Sequence, residues 1–69
     1  MVEVCKTNVQ GYHDSMAMLS ILKQKFPELV MNFDLEDCDR ILRIEGDRIF
    51  IAAIINEMRL KDFICEPLQ

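Results

Sequence analysis

Three cysteines and a single histidine are the residues of this chain best suited to covalent or metal chemistry. Cys5, Cys38 and Cys65 are odd in number and irregular in spacing, which is not the pattern of a secreted disulfide framework; they read as reduced thiols of a cytosolic protein. A thiol becomes a nucleophile when a nearby cation or helix N-terminus stabilises its thiolate. Only Lys6, beside Cys5, is placed to do so, and Cys38 stands among carboxylates, a poor setting for such chemistry. His13 has Asp14 next to it but no serine or cysteine positioned as its nucleophile, so a surface or capping role is expected. Asp34, Glu36, Asp37 and Asp39 set four carboxylates around one turn. A calcium loop would need a glycine for its sharp bend and a distal bidentate glutamate, and this stretch has neither. It reads as an acidic, solvated turn whose charges keep a strand edge from pairing with another chain.

The chain that must position these groups is 69 residues long, room for one domain, 1–69. A domain of that size buries only about 60% of its unfolded surface, which leaves a small margin of stability. Its apolar fraction of 51% is high for the length, enough to fold without a metal or disulfide staple. A net charge of −4 and a pI near 4.7 argue against nucleic acid and against acidic or membrane-surface partners. Neither an apolar run near 18 residues nor a basic region leading into an apolar one is present, so no membrane span or signal peptide is expected.

The clearest element is the stretch NFDLEDCDRILRIEG, Asn32 to Gly46, a β-hairpin. Met31, Phe33 and Leu35 alternate with Asn32, Asp34 and Glu36, and Leu42 and Ile44 alternate with Ile41, Arg43 and Glu45. Inward residues are odd before the turn and even after it, so the loop has an even number of residues. Two residues, Cys38-Asp39, would need positive φ with no glycine to supply it. The expectation is a four-residue loop, Glu36 to Asp39, around a type I turn, which pairs Phe33 with Leu42 and Met31 with Ile44.

Before the hairpin, Val2 to Thr7 alternates as a first strand, with Val2 and Val4 expected inward and Glu3, Cys5 and Thr7 on a polar back. Asn8 to Tyr12 is the following loop. Met16, Leu19, Leu22 and Phe26, widened by Met18 and Ile21, give a helix capped by Asp14 or Ser15, complemented by Lys23 and Lys25 at its end and stopped before Pro27. After the hairpin the period changes to 3.6, with Asp47 as N-cap and Phe50, Ile51, Ile54, Ile55 and Met58 as a broad stripe ending in Arg59 and Lys61. Phe63-Ile64-Cys65 is a short last strand at an edge, with Pro67 soon after it. Either Ile64 or the pair Phe63 and Cys65 faces the helices; the second choice buries one more side chain and is preferred.

The order βαββαβ, with right-handed crossovers, defines an α+β, ferredoxin-like sandwich: one antiparallel sheet of order 4-1-3-2 with two helices on one face. The other face then gathers Glu3, Cys5, Thr7, Asn32, Asp34, Glu36, Arg43 and Glu45. With Cys5 outward and Cys65 inward the two thiols share no ligand, Cys38 is remote, and Met16, Met18, Met31 and Met58 fill the core. No exposed aromatic pair offers a base-stacking platform on the sheet.

In its length, the VEV strand, the DRILRIEG strand leading into a helix and the closing DFIC, nearly the whole chain resembles a heavy-metal-associated domain, the βαββαβ module of copper chaperones and metal-transporting ATPases. That family carries a Met-x-Cys-x-x-Cys loop after its first strand. The equivalent loop here, Thr7-Asn8-Val9-Gln10-Gly11-Tyr12, has no cysteine, so no metal ligand carries over. Asn8-Val9-Gln10-Gly11-Tyr12 is also similar to the middle of the Gly-Arg-Val-Gln-Gly-Val-Gly-Phe-Arg loop of acylphosphatases, whose final arginine grips phosphate and whose asparagine on the next strand positions water. Ser15 stands at the arginine's place and Asp34 near the asparagine's, and a carboxylate there would repel an acyl phosphate.

The resulting expectation is a non-enzymatic cytoplasmic protein, a protein-interaction or regulatory module on a heavy-metal-associated-like scaffold. No catalytic, cofactor-binding or metal residue is assigned and no cofactor is expected; its partner is another protein or a second copy, not nucleic acid or membrane. The alternatives are a metallochaperone-like protein using atypical cysteines and a degenerate acylphosphatase relative.

Overall fold

Cross-strand pairing of Met31 with Ile44 and of Phe33 with Leu42 holds the centre of the sheet, in the register that the alternation of apolar residues dictates. The computed structural model describes residues 1–36 and 38–68. Its elements are β1 (Val2–Thr7), α1 (Tyr12–Lys25), β2 (Val30–Asp34), β3 (Ile41–Glu45), α2 (Ile51–Leu60) and β4 (Cys65–Pro67). The four strands form one antiparallel sheet of order β2-β3-β1-β4, the expected ferredoxin-like order read from the opposite edge. Met18 and Leu22 of α1 and Ile54 and Met58 of α2 close on one face of that sheet, over Met31, Leu42 and Ile44. Burying each of these large side chains stabilises the fold by about 1.5–3 kcal/mol.

Strand β1 lies the other way up from expectation. Cys5 pairs with Leu42 and Glu3 with Ile44, and cross-strand partners share a face, so Glu3, Cys5 and Thr7 turn toward the helices while Val2 and Val4 turn out. Two valines do not decide the matter because Thr7 can be buried without loss. Its hydroxyl donates to the Arg40 carbonyl and accepts from the Val9 N–H, and Val9 itself drops fully into the core. The outer face therefore carries Val2, Val4, Lys6, Asn32, Asp34, Ile41, Arg43 and Glu45, and neither Cys5 nor Thr7 lies on it.

The hairpin connection is longer than the expected Glu36 to Asp39, although its parity is as deduced. The ladder ends at Asp34 and Ile41, leaving 35–40 outside it. Its far end is pulled toward β1, where the Thr7 N–H donates to the Asp39 carbonyl and Arg40 adopts a left-handed backbone with φ of 50°. Of the acidic turn, Asp34 and Glu36 are exposed and the Asp34 carboxylate accepts from the Glu36 N–H; Asp37 lies outside the described residues.

Both helices begin away from their expected caps. Helix α1 starts at Tyr12 on Gly11, not on Asp14 or Ser15, because Ser15 is buried and satisfies its hydroxyl on the Tyr12 carbonyl at 2.8 Å. The buried stripe is Ser15, Met18 and Leu22, which leaves Met16 exposed rather than in the core. Helix α2 starts at Ile51 rather than after Asp47, since Ile49 is drawn onto the core first; Phe50, expected in the apolar stripe, is exposed with the Arg48 guanidinium 5.8 Å from its ring centre. Lys25, at the end of α1, reaches Glu57 of α2 at 3.4 Å.

Candidate functional site: a buried thiol pair beneath an open sheet face

The chemistry-bearing residues that the fold brings together are Cys5 and Cys65. Strand β4 begins at Cys65, two residues later than expected, and runs to Pro67 at the sheet edge. Its start is set by the end of α2. The Phe63 N–H donates to the Met58 carbonyl and the Asp62 N–H to the Arg59 carbonyl, the paired bonds of a Schellman closure, with Asp62 left-handed at φ 66°. The Asn8 side chain then accepts from the Ile64 N–H at 2.8 Å, which ties the loop after β1 to the entry of β4. These anchors deliver Cys65 opposite Thr7, with Pro67 opposite Cys5. Cys65 therefore sits on a diagonal from Cys5, on the same helix-facing side of the sheet.

Both thiols are free and buried, Cys5 at 0% and Cys65 at 6% exposure. The inward reading of Cys65 is as deduced; the outward reading of Cys5 is not, and with it goes the inference that the two sulfurs cannot meet. The neighbouring Cys65 thiol pulls the Cys5 thiol below its ordinary value, against the opposing effects of burial and of the Glu3 charge. Cys65 is pushed well above its ordinary value, first by the adjacent Cys5 thiol and then by burial and the nearby Cys5 charge.

A cleft of about 350 Å³ between α2 and β4 reaches Cys65 and is lined by Ile55, Arg59, Asp62, Phe63 and Glu66. Among the described residues, no helix covers the other side of the sheet. Val2, Val30 and Leu68 stand out there at 47%, 60% and 43% exposure, beside the half-buried Val4 and Ile41. Arg43 and Glu45 pair along β3 at 3.6 Å on the same face.

The remaining candidates are dispersed. Cys38 is exposed in the hairpin connection and His13 in the first turn of α1. At the loop similar to the acylphosphatase one, Ser15 faces the core and Arg40 gives its guanidinium to the Gln10 and Leu35 carbonyls. Among the described residues, no group of three or more histidine, cysteine, aspartate or glutamate side chains converges on a point. Among them, too, no helix is long and apolar enough to cross a membrane. Thr7, Asn8 and Arg40, which hold the loops around the thiols, were not identifiable from the sequence; a buried threonine flanked by hydroxyl-bonding loops leaves no spacing signature.

The chain matches no protein-family model, and neither the curated proteins nor the solved structures contain a significant match to it.

Proposed function

We propose that this chain is a small non-enzymatic module of the cytoplasm that binds a protein partner on the open face of its sheet. The observation that carries the reading is the composition of that face: exposed Val2, Val30 and Leu68 alternate with charged residues on a sheet that the helices cover on one side only. Mixed apolar and polar area of this kind is what non-obligate interfaces present. The chain's net charge of −4 selects a partner whose apolar side chains are set among lysines and arginines, since opposite charge speeds encounter and fixes register. The cytoplasmic reading is supported by three thiols that remain free.

The test is affinity capture with wild type and with Val30→Lys, which places a like charge before such a partner. Support is a protein held by wild type at low salt, released as salt rises, and lost in Val30→Lys but kept in Lys23→Glu on α1. Equal capture by wild type and Val30→Lys overturns the reading. A wild-type dimer that Val30→Lys dissociates would make the occupant a second copy and overturn the basic partner.

A further inference from the structure

Strand β2 is the longer of the two edge strands. Over its five residues, Val30–Asp34, it pairs with β3 on one side and, among the described residues, with no strand on the other, whereas β4 at the opposite edge has three residues. Alternate N–H and carbonyl groups along its free side are therefore open to a further strand. A groove of about 340 Å³ runs beside this edge on the helix side of the sheet, with Tyr12, Met16 and Leu19 of α1 on one wall and Phe33 and Leu35 on the other. Tyr12 and Met16 are 76% and 47% exposed, apolar surface that the chain's own core leaves uncovered. The opposite side of the same edge is acidic. Asn32 and Asp34 turn away from the helices, Glu36 follows them in the connection, and all three are exposed. The cations close to them are engaged: the Arg40 guanidinium is held by the Gln10 and Leu35 carbonyls, and Arg43, opposite Asn32, pairs with Glu45.

We infer that β2 accepts an extended segment of a basic partner protein as a fifth strand of the sheet, its apolar side chains entering the α1–β2 groove and its lysines and arginines lying along Asp34 and Glu36. Successive side chains of a strand point to opposite faces, so the two sides of the edge specify the two halves of the occupant's pattern, apolar toward α1 and cationic away from it. Main-chain bonds to β2 supply affinity, and the groove and the carboxylates supply selectivity. A second copy of the chain fits this edge less well. Paired antiparallel about Asn32, it would set its Glu28 beside Glu36, and like charges facing each other across a ladder are destabilising. Its own Met31 and Phe33 already pack on its own core, so they are not free to fill the groove. The inference does not rest on docking at the outer face, because it uses the edge of β2 and the helix side of the sheet.

The probe is the end-blocked peptide Lys-Val-Arg-Phe-Lys-Val-Arg, titrated at low salt into the isotope-labelled chain and followed by its amide resonances. A second peptide, Lys-Arg-Val-Phe-Val-Lys-Arg, has the same composition without the alternation. Two more carry N-methyl groups, one on the apolar residues and one on the basic residues between them. In an added strand the N–H groups of alternate residues face β2, so one N-methyl set removes those bonds and the other lies on the solvent side. The expected result is saturable binding with shifts concentrated on Tyr12, Met16 and residues 30–36, weakened at least about tenfold in the unalternated peptide, in one N-methyl peptide only, and in Met16→Lys. Affinity falls as salt rises and is retained in Val2→Ser on the outer face. Circular dichroism establishes that Met16→Lys is folded, and should it not be, the N-methyl pair on the wild-type chain decides the matter. The inference is overturned by absence of saturable binding, by equal binding of the two peptides of one composition, by N-methyl sets that act alike, or by shifts that map to another surface. A wild-type dimer whose β2 amides are protected without peptide would give the edge to a second copy and overturn the basic partner.

Discussion

The Thr7 hydroxyl donates to the carbonyl of Arg40, 33 residues away along the chain, and accepts from the N–H of Val9. One buried side chain thus joins the hairpin connection to the loop before α1. Thr7→Val keeps the shape and removes both bonds, leaving a carbonyl and an N–H to find other partners. We expect a loss of about 1–3 kcal/mol in urea unfolding, with Thr7→Ser much closer to wild type. Equal losses in the two variants would mean that the methyl group, not the hydroxyl, holds this corner.

Asp62 closes α2 in a left-handed conformation that costs a residue with a Cβ. Asp62→Gly should therefore raise the thermal midpoint, with a gain up to about 1 kcal/mol, because glycine is the residue favoured at this position of a Schellman closure. A fall in the midpoint would show that the aspartate side chain contributes more than its backbone costs.

Leu42 and Ile54 are fully buried beneath and within the helix layer, whereas Arg43 is exposed on the other face and pairs with Glu45 along its own strand. Leu42→Ala and Ile54→Ala should each cost about 2–5 kcal/mol. Arg43→Ala should cost under about 1 kcal/mol. The ranking is read from denaturant midpoints, and an Arg43 variant that loses more than either core variant would contradict it.

Cys38 is exposed while Cys5 and Cys65 are buried, so a thiol probe should modify Cys38 alone in native buffer and all three thiols in denaturant. Peptide mapping after timed labelling reads this directly. Rapid native modification of Cys5 would mean that β1 opens far more readily than its two ladders imply.

Alkali should weaken the fold through Cys65. Its thiol is raised in the folded chain relative to the ordinary value of 9.0, so the unfolded chain ionises there first. The stability tied to this proton is fully present below that value and is lost progressively as pH rises above it toward the raised folded-state value. The denaturation midpoint should fall between about pH 8 and about pH 10 in wild type, and fall less in Cys65→Ala. Equal slopes in the two proteins would remove Cys65 as the cause.

Alternation and period made the βαββαβ order, the sheet order and the hairpin register legible, because Met31, Phe33, Leu42 and Ile44 can be buried together in only one parity. The first strand was not legible in the same way. Val2 and Val4 against Cys5 and Thr7 is a near tie by hydrophobicity, and what breaks it is a pair of hydrogen bonds to Arg40 and Val9 that no local pattern announces. The thiol pair was hidden by that single inversion. Helix starts were misplaced for a related reason: Ser15 and Ile49 were bound by the core, so the caps that Asp14 and Asp47 advertised went unused.

The two borders of the sheet differ in kind. Strand β2 presents a five-residue rim, whereas β4 is three residues long and ends in a proline that has no N–H to offer. Among the described residues, association that extends the sheet is therefore favoured at β2, and two chains joined there about a two-fold axis would leave a short, proline-ended margin at each extremity, a poor template for adding a further strand.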